Sequence, residues 1–215
     1  MGFMLTARVS RKDSQEVTRA RLRQAAVRVF ARDGIAGSRI ETIAQDAGYS
    51  RGAFYSNYRS KRDLLVDLLH DKQTAEIDLW RDVLSHTVDV HADLAQLSAR
   101  YDGVTDVRER AMLNSELQLE ADRDETFRPI FQSYLDAVYS ETRSLFELLF
   151  KRHSKRVPDN LDTIAITVRL LGMGLGSPSL VGTQAVKRVG AGRIMFEYIS
   201  NVMASAPDQD APENI

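Results

Sequence analysis

The chain has no cysteine, which excludes disulfides, cysteine-ligated zinc and thiol nucleophiles. Proline is scarce, five in 215 residues, and none precedes Pro129, so no proline interrupts helices in the first half. Strict apolar–polar alternation, the mark of half-buried strands, is missing. Long apolar runs are missing too. Leu145–Phe150 is too short for a bilayer, and Ile164–Leu180 carries Arg169 and several glycines, so no membrane span is expected. The N-terminus lacks an apolar run followed by a cleavage signal; no secretory peptide is expected, and the chain is expected in the cytoplasm. The four histidines, His70, His86, His91 and His153, include no His-x-x-x-His pair, and Asp89–Asp93 reads as a solvated loop or helix start rather than a metal cluster. No serine sits in a nucleophile elbow, and Glu116 and Glu120 share a helix face in the manner of solvated carboxylates. No metal, cofactor or enzymatic activity is expected.

What is present is charge, unevenly spread. Residues 1–62 hold 13 Lys+Arg against 5 Asp+Glu, a net of +8, while residues 63–215 carry a net of −9. A basic head on an acidic body suggests a polyanionic partner for the head, although a basic segment can also be merely solvated. Apolar periodicity is helical almost throughout. Residues 1–13 read as a flexible basic arm. A helix is predicted over Ser14–Asp33, with Leu22, Ala25, Ala26, Val29 and Phe30 on one stripe and Gly34 as left-handed cap. A second helix is predicted from Ser38, where Ser38-Arg39-Ile40-Glu41 fits a capping box, to Gly48. Ser50 caps a short third helix through Asn57, and Ser60 caps a fourth running toward Trp80. Further helices are predicted near Asp93–Tyr101, Asp106–Ala121, Thr126–His153, Leu161–Ser177 and Thr183–Ala204. The tail, 206–215, is expected to be disordered.

Two short helices separated by Gly48-Tyr49 have the layout of a helix-turn-helix, whose second helix enters the DNA major groove. The stretch Ser50–Asn57 has one evident core residue, Phe54; the rest, including Ser56, is small or polar and suited to close approach to bases. Arg51 can reach guanine O6 and N7 in bidentate fashion. Tyr55, Asn57 and Lys61 can bond phosphates, to which the second and third helices also present N-terminal N–H groups. Tyr55 can equally cap the small core, and surface arginines such as Arg39, Arg59 and Arg62 can be solvated.

The segments Thr18–Leu22, Ala31–Gly34, Ile40–Gly48, Arg51–Tyr58 and Ser60–Leu65, in register over 18–69, resemble the N-terminal domain of TetR-family regulators. That resemblance implies an all-α chain: a three-helix helix-turn-helix domain (14–62) and a larger helical ligand-binding and dimerisation domain (63–205). By position it implies backbone or groove-edge contacts from Ser38, Arg39 and Thr42. It implies base reading by Arg51, Gly52 and Ala53, and phosphate contacts from Tyr55, Asn57 and Lys61. Ser56-Asn57 depart from the histidine or bulky residue common after the tyrosine, and Tyr58 stands for the usual phenylalanine. The expected partners are double-stranded operator DNA, a second copy of the chain and a small-molecule effector, and repression is the expected outcome.

Beyond residue 70 the resemblance thins to Glu116–Asp124 and Phe127–Phe131, similar to a segment of one TetR subgroup. The helices at Leu161–Leu171 and Ile194–Met203 are apolar on more than one face, which suggests a four-helix interface with a partner subunit. Candidate effector-lining residues are Trp80, Met112, Glu116, Phe131, Tyr134, Val168 and Met173; each is also an ordinary core type. The competing readings are a helical enzyme and an interaction module that does not bind DNA.

Overall fold

The computed structural model describes residues 11–86, 107–175, 177 and 182–209, and among them every regular element is an α-helix. The elements are α1 (Arg11–Asp33), α2 (Ile40–Asp46), α3 (Arg51–Tyr55), α4 (Lys61–His86), α5 (Val107–Arg123), α6 (Arg128–Arg152), α7 (Leu161–Leu175), α8 (Gln184–Val189) and α9 (Ala191–Ser205). The chain divides into two compact units, Met1–Leu68 and Leu69–Ile215, so the boundary falls inside α4, six residues beyond the expected Arg62. The expected Asp93–Tyr101 helix and Asp89–Asp93 run, the first ten residues of the expected arm and residues 210–215 lie outside the described residues.

In the first unit the expected stripe of α1 is the core: Leu22, Ala25, Ala26, Val29 and Phe30 are fully buried. Ile35, Ile43, Ala44, Phe54, Tyr58 and the first leucines of α4 are buried as well. Helix α1 opens at Arg11, three residues before the predicted Ser14, because no glycine or proline stops it there. Gly34 closes it with φ 76°. The capping box predicted at Ser38 does not form. Arg39 occupies the N-cap of α2 without a side-chain cap bond, and the Ser38 hydroxyl turns inward to donate to the Ile35 carbonyl at 2.8 Å. Buried and bonded, that oxygen cannot reach the α2 amides.

In the second unit α6 packs against α5 and α7, and α7 against α9. Phe146, Leu149 and Phe150 of α6, Ile164 and Val168 of α7, and Met195, Ile199 and Met203 of α9 share one core. The α5–α6 corner is built by two side chains. Asp124 accepts from the Thr126 and Phe127 amides, and the Arg128 guanidinium donates to the last α5 carbonyls, Ala121 and Asp122. The single helix predicted over Thr183–Ala204 is broken into α8 and α9 at Gly190, whose φ of 92° takes the backbone out of the helical region. The tail expected to be disordered from 206 is fixed as far as 209. Arg156 N donates to Pro207 O at 2.9 Å, Gln209 N donates to Ser154 O at 2.8 Å, and Lys155 pairs with Asp208 at 2.9 Å. Ala206 is buried against the α9 core, which anchors the strap that follows.

Candidate nucleic-acid interface

Helices α2 and α3 form the helix-turn-helix. Each buries little: α2 contributes Ile43 and Ala44, α3 contributes Phe54. Between them Gly48 sits at φ 78°, a left-handed conformation that costs a residue with a Cβ far more than glycine. The turn is closed by Tyr49 N donating to Ala44 O at 2.8 Å. Ser50 then caps α3 as expected, its hydroxyl accepting from Ala53 N at 3.2 Å.

This turn leaves one side of α3 outward. Ser50, Arg51, Gly52, Tyr55 and Ser56 are exposed, and Ala53 and Asn57 are half-buried. Tyr55 is 45% exposed and rests edge-on against Phe54, so it lies on the surface with one edge on the core. The Arg51 guanidinium stands 5.5 Å from the centre of the Tyr55 ring and pairs with Glu41 at 2.9 Å. The Tyr55 hydroxyl and then the Glu41 charge strengthen its hold on its proton. Ser56 and Asn57 bond back into α3, through Ser56 Oγ to Gly52 O at 3.0 Å and Asn57 Nδ2 to Ala53 O at 2.8 Å. Arg39 is exposed and Thr42 half-exposed at the start of α2.

Two further expected contact residues make bonds within the unit. Ser38 is only 7% exposed, with its hydroxyl spent on Ile35. Lys61 donates from its ammonium to the Ile35 and Ser38 carbonyls, stapling the α1–α2 loop to the start of α4. A second brace had no sequence signal, because Asp67 lies 48 and 44 residues from its two arginines and 9 from Tyr58. Asp67 of α4 accepts from Arg19 (2.7 Å) and Arg23 (2.8 Å) of α1 and from the Tyr58 hydroxyl (2.5 Å), while the Arg19 guanidinium lies 5.1 Å from the Tyr58 ring centre. Burial pushes the Asp67 carboxyl up, but the bonds from Tyr58, Arg23 and Arg19 outweigh it and hold it below the usual value. Burial and the Asp67 bond push the Tyr58 phenol up. Tyr58 thus packs as expected, 3% exposed, and adds a polar tie that a phenylalanine would lack.

The residues expected to line an effector site all fall in the second unit. Met112 and Glu116, four apart on α5, are half-buried. Phe131 is buried and stacks on half-buried Tyr134, ring centres 5.9 Å apart. Val168 belongs to the core shared by α6, α7 and α9. Met173 instead faces outward from α7 with Ile166 and Leu170. Trp80 lies in α4, in a stretch whose side chains fall outside the described residues.

A basic, three-helix unit that presents a short, sparsely decorated recognition helix defines a helix-turn-helix DNA-binding domain. The family model of bacterial regulatory proteins, tetR family, matches residues 22–68, so this segment is similar to the DNA-binding domain of that family. A segment of 92 residues is 35% identical to the HTH-type transcriptional repressor SCO4008 of Streptomyces coelicolor; it makes up 38% of this chain and 48% of that relative, so the match spans about half the relative's length. Beyond the head the likeness is one of fold. Salmonella enterica GusR superposes with a TM-score of 0.70 at 16% identity, covering 92% of this chain and 100% of that one. The transcriptional regulator FadR of Bacillus subtilis, solved with stearoyl-CoA, gives 0.60 at 17% identity, covering 86% and 97%. Among the described residues no helix is long and apolar enough to cross a membrane.

Proposed function

We propose that the chain is a dimeric transcriptional repressor that binds a palindromic operator through α3 and is released by a small-molecule effector bound in the second unit. The observation that carries this reading is the outward side of α3, where Arg51 projects beside glycine and serine with no bulky apolar neighbour but Tyr55. Such a surface lets the helix backbone approach base edges while one arginine supplies two parallel donors to guanine. Arg39, Thr42, Ser50, Tyr55 and Ser56 surround it as positioning contacts to the sugar–phosphate backbone. The repressor SCO4008 supports the sign of regulation, and FadR, solved with stearoyl-CoA, supports a small-molecule effector.

The dimer would be made by α7 and α9. Ile166, Leu170 and Met173 lie at i, i+4 and i+7 on α7 and are exposed, Leu170 by 61%. Two such stripes related by a two-fold axis bury each other and set two recognition helices about 34–36 Å apart for successive major grooves. Helix α4 starts in the first unit and continues into the second, so an effector that shifts it changes the spacing of the heads. A differential affinity of about 1–3 kcal/mol between the two states suffices.

The test is a selection of bound duplexes from a randomised DNA library with the purified protein, followed by Arg51→Ala. Symmetric enriched sites whose preference at one guanine is relaxed by about tenfold or more in the variant support the reading. Enrichment of no sequence, or a preference unchanged by the substitution, rejects it.

A further inference from the structure

We propose that Glu41 is a positioning residue that sets how sharply Arg51 discriminates guanine, an inference that rests on the DNA-binding reading above. Arg51 is the one arginine of α3, and its long side chain would otherwise sample many rotamers, most of them unproductive. Two groups hold it. The Glu41 carboxylate, in the first turn of α2, takes Nη1 at 2.9 Å. The Tyr55 ring, one turn further along α3, lies 5.5 Å from the guanidinium carbon. All three side chains are exposed, so the pair contributes little to stability and Glu41 has no packing duty. The guanidinium is a planar fork of five N–H donors. With Nη1 spent on Glu41, the Nε–Nη2 edge still offers the two parallel donors that guanine O6 and N7 accept.

The carboxylate has an opposite effect on phosphates. A negative charge beside the recognition helix repels the DNA backbone and weakens binding to every sequence alike. Glu41 therefore exchanges sequence-independent affinity for discrimination. Among the cations of the first unit this pairing differs from Arg19 and Arg23 on Asp67, which are partly buried between helices. The Arg51–Glu41 pair instead links the exposed starts of α2 and α3, on the surface assigned to DNA.

The experiment uses the full chain and duplexes from the randomised library. Binding is titrated against the selected site and against the same site with the Arg51 guanine replaced, for the natural protein, Glu41→Ala, Glu41→Gln, Arg51→Ala and Glu41→Ala with Arg51→Ala. Glu41→Ala is expected to lower the discrimination ratio by about threefold to tenfold while binding random duplex at least as tightly. Glu41→Gln, which keeps an acceptor oxygen at the same reach, is expected to retain more discrimination than alanine. With Arg51 absent, removing Glu41 is expected to leave the ratio unchanged. An unchanged ratio in Glu41→Ala overturns the inference while leaving the DNA reading intact, provided that Arg51→Ala relaxes the preference. An equal drop with and without Arg51 also overturns it, because Glu41 would then be reading a base itself. If Arg51→Ala changes nothing, the inference and the DNA reading fall together.

Discussion

Asp67 concentrates more of the first unit's polar bonding than any residue on the outward side of α3. It takes two guanidinium groups and a phenol on one carboxylate, joining α1, the α3–α4 loop and α4. Removing its charge weakens the hold on Arg19 and on Arg23, which keeps Glu16 at 2.9 Å, so Asp67→Asn is expected to cost about 1–3 kcal/mol at neutral pH, measured by chemical denaturation. The pH dependence has a definite sign. The folded carboxyl is held below its unfolded value, so its contribution is full above about pH 4 and disappears as pH falls through the folded value. The stability gap between the natural protein and Asp67→Asn should therefore shrink on acidification below about pH 4. A gap independent of pH down to the acid transition contradicts this account. Lys61 gives a second residue-scale prediction. Its ammonium is bonded to two loop carbonyls, so Lys61→Ala should lower the melting temperature by several degrees as well as any DNA affinity. A variant that loses affinity on all sequences but melts like the natural protein would assign Lys61 to phosphates alone.

At the scale of elements, periodicity made the helices legible because each must bury one stripe. The stripe of α1, the isolated Phe54 of α3 and the leucines of α4 are where their spacing placed them. The failures have physical causes. Ser38 has the sequence of a cap, but a hydroxyl is satisfied by whichever partner the loop brings near, here the Ile35 carbonyl. The Asp67 brace escapes a local reading because its partners meet only after α1 and α4 pack. Side-chain type alone does not separate Val168, in the core, from Met173, on the outside, among the candidates for lining an effector site. The helical pattern over Thr183–Ala204 runs through Gly190, whose φ of 92° and ψ of 131° break it between α8 and α9. Gly190→Ala should cost about 1–3 kcal/mol, because residues with a Cβ rarely adopt that region, although the nearest side-chain atom, Arg193 Cβ, is a comfortable 3.7 Å from the added carbon. A melting temperature equal to that of the natural protein would show that the segment relaxes into the continuous helix that its sequence pattern suggests.

Under the proposed function the whole molecule would combine two weak attachments. One recognition helix with one principal base contact would not supply operator affinity alone, and the +8 head would supply mainly sequence-independent attraction that salt removes. Joining two heads makes the second contact intramolecular and can raise affinity by about 10²- to 10⁴-fold without a new contact. The exposed stripe Ile166, Leu170 and Met173 is the feature proposed to do the joining; each is about half exposed, so covering it would gain about half of the ~1.5–3 kcal/mol of a full burial. Leu170→Glu places a charge at the most exposed member of the stripe, away from the α7 core residues Ile164 and Val168. The variant should keep its helical content and elute at monomer mass in gel filtration. It should lose operator affinity by about 10²-fold or more while its binding to random duplex at low salt falls far less. Unchanged mass would place the dimer contact elsewhere. Monomers that bind the operator undiminished would mean that a single head suffices, and the palindromic arrangement proposed for the site would then be wrong.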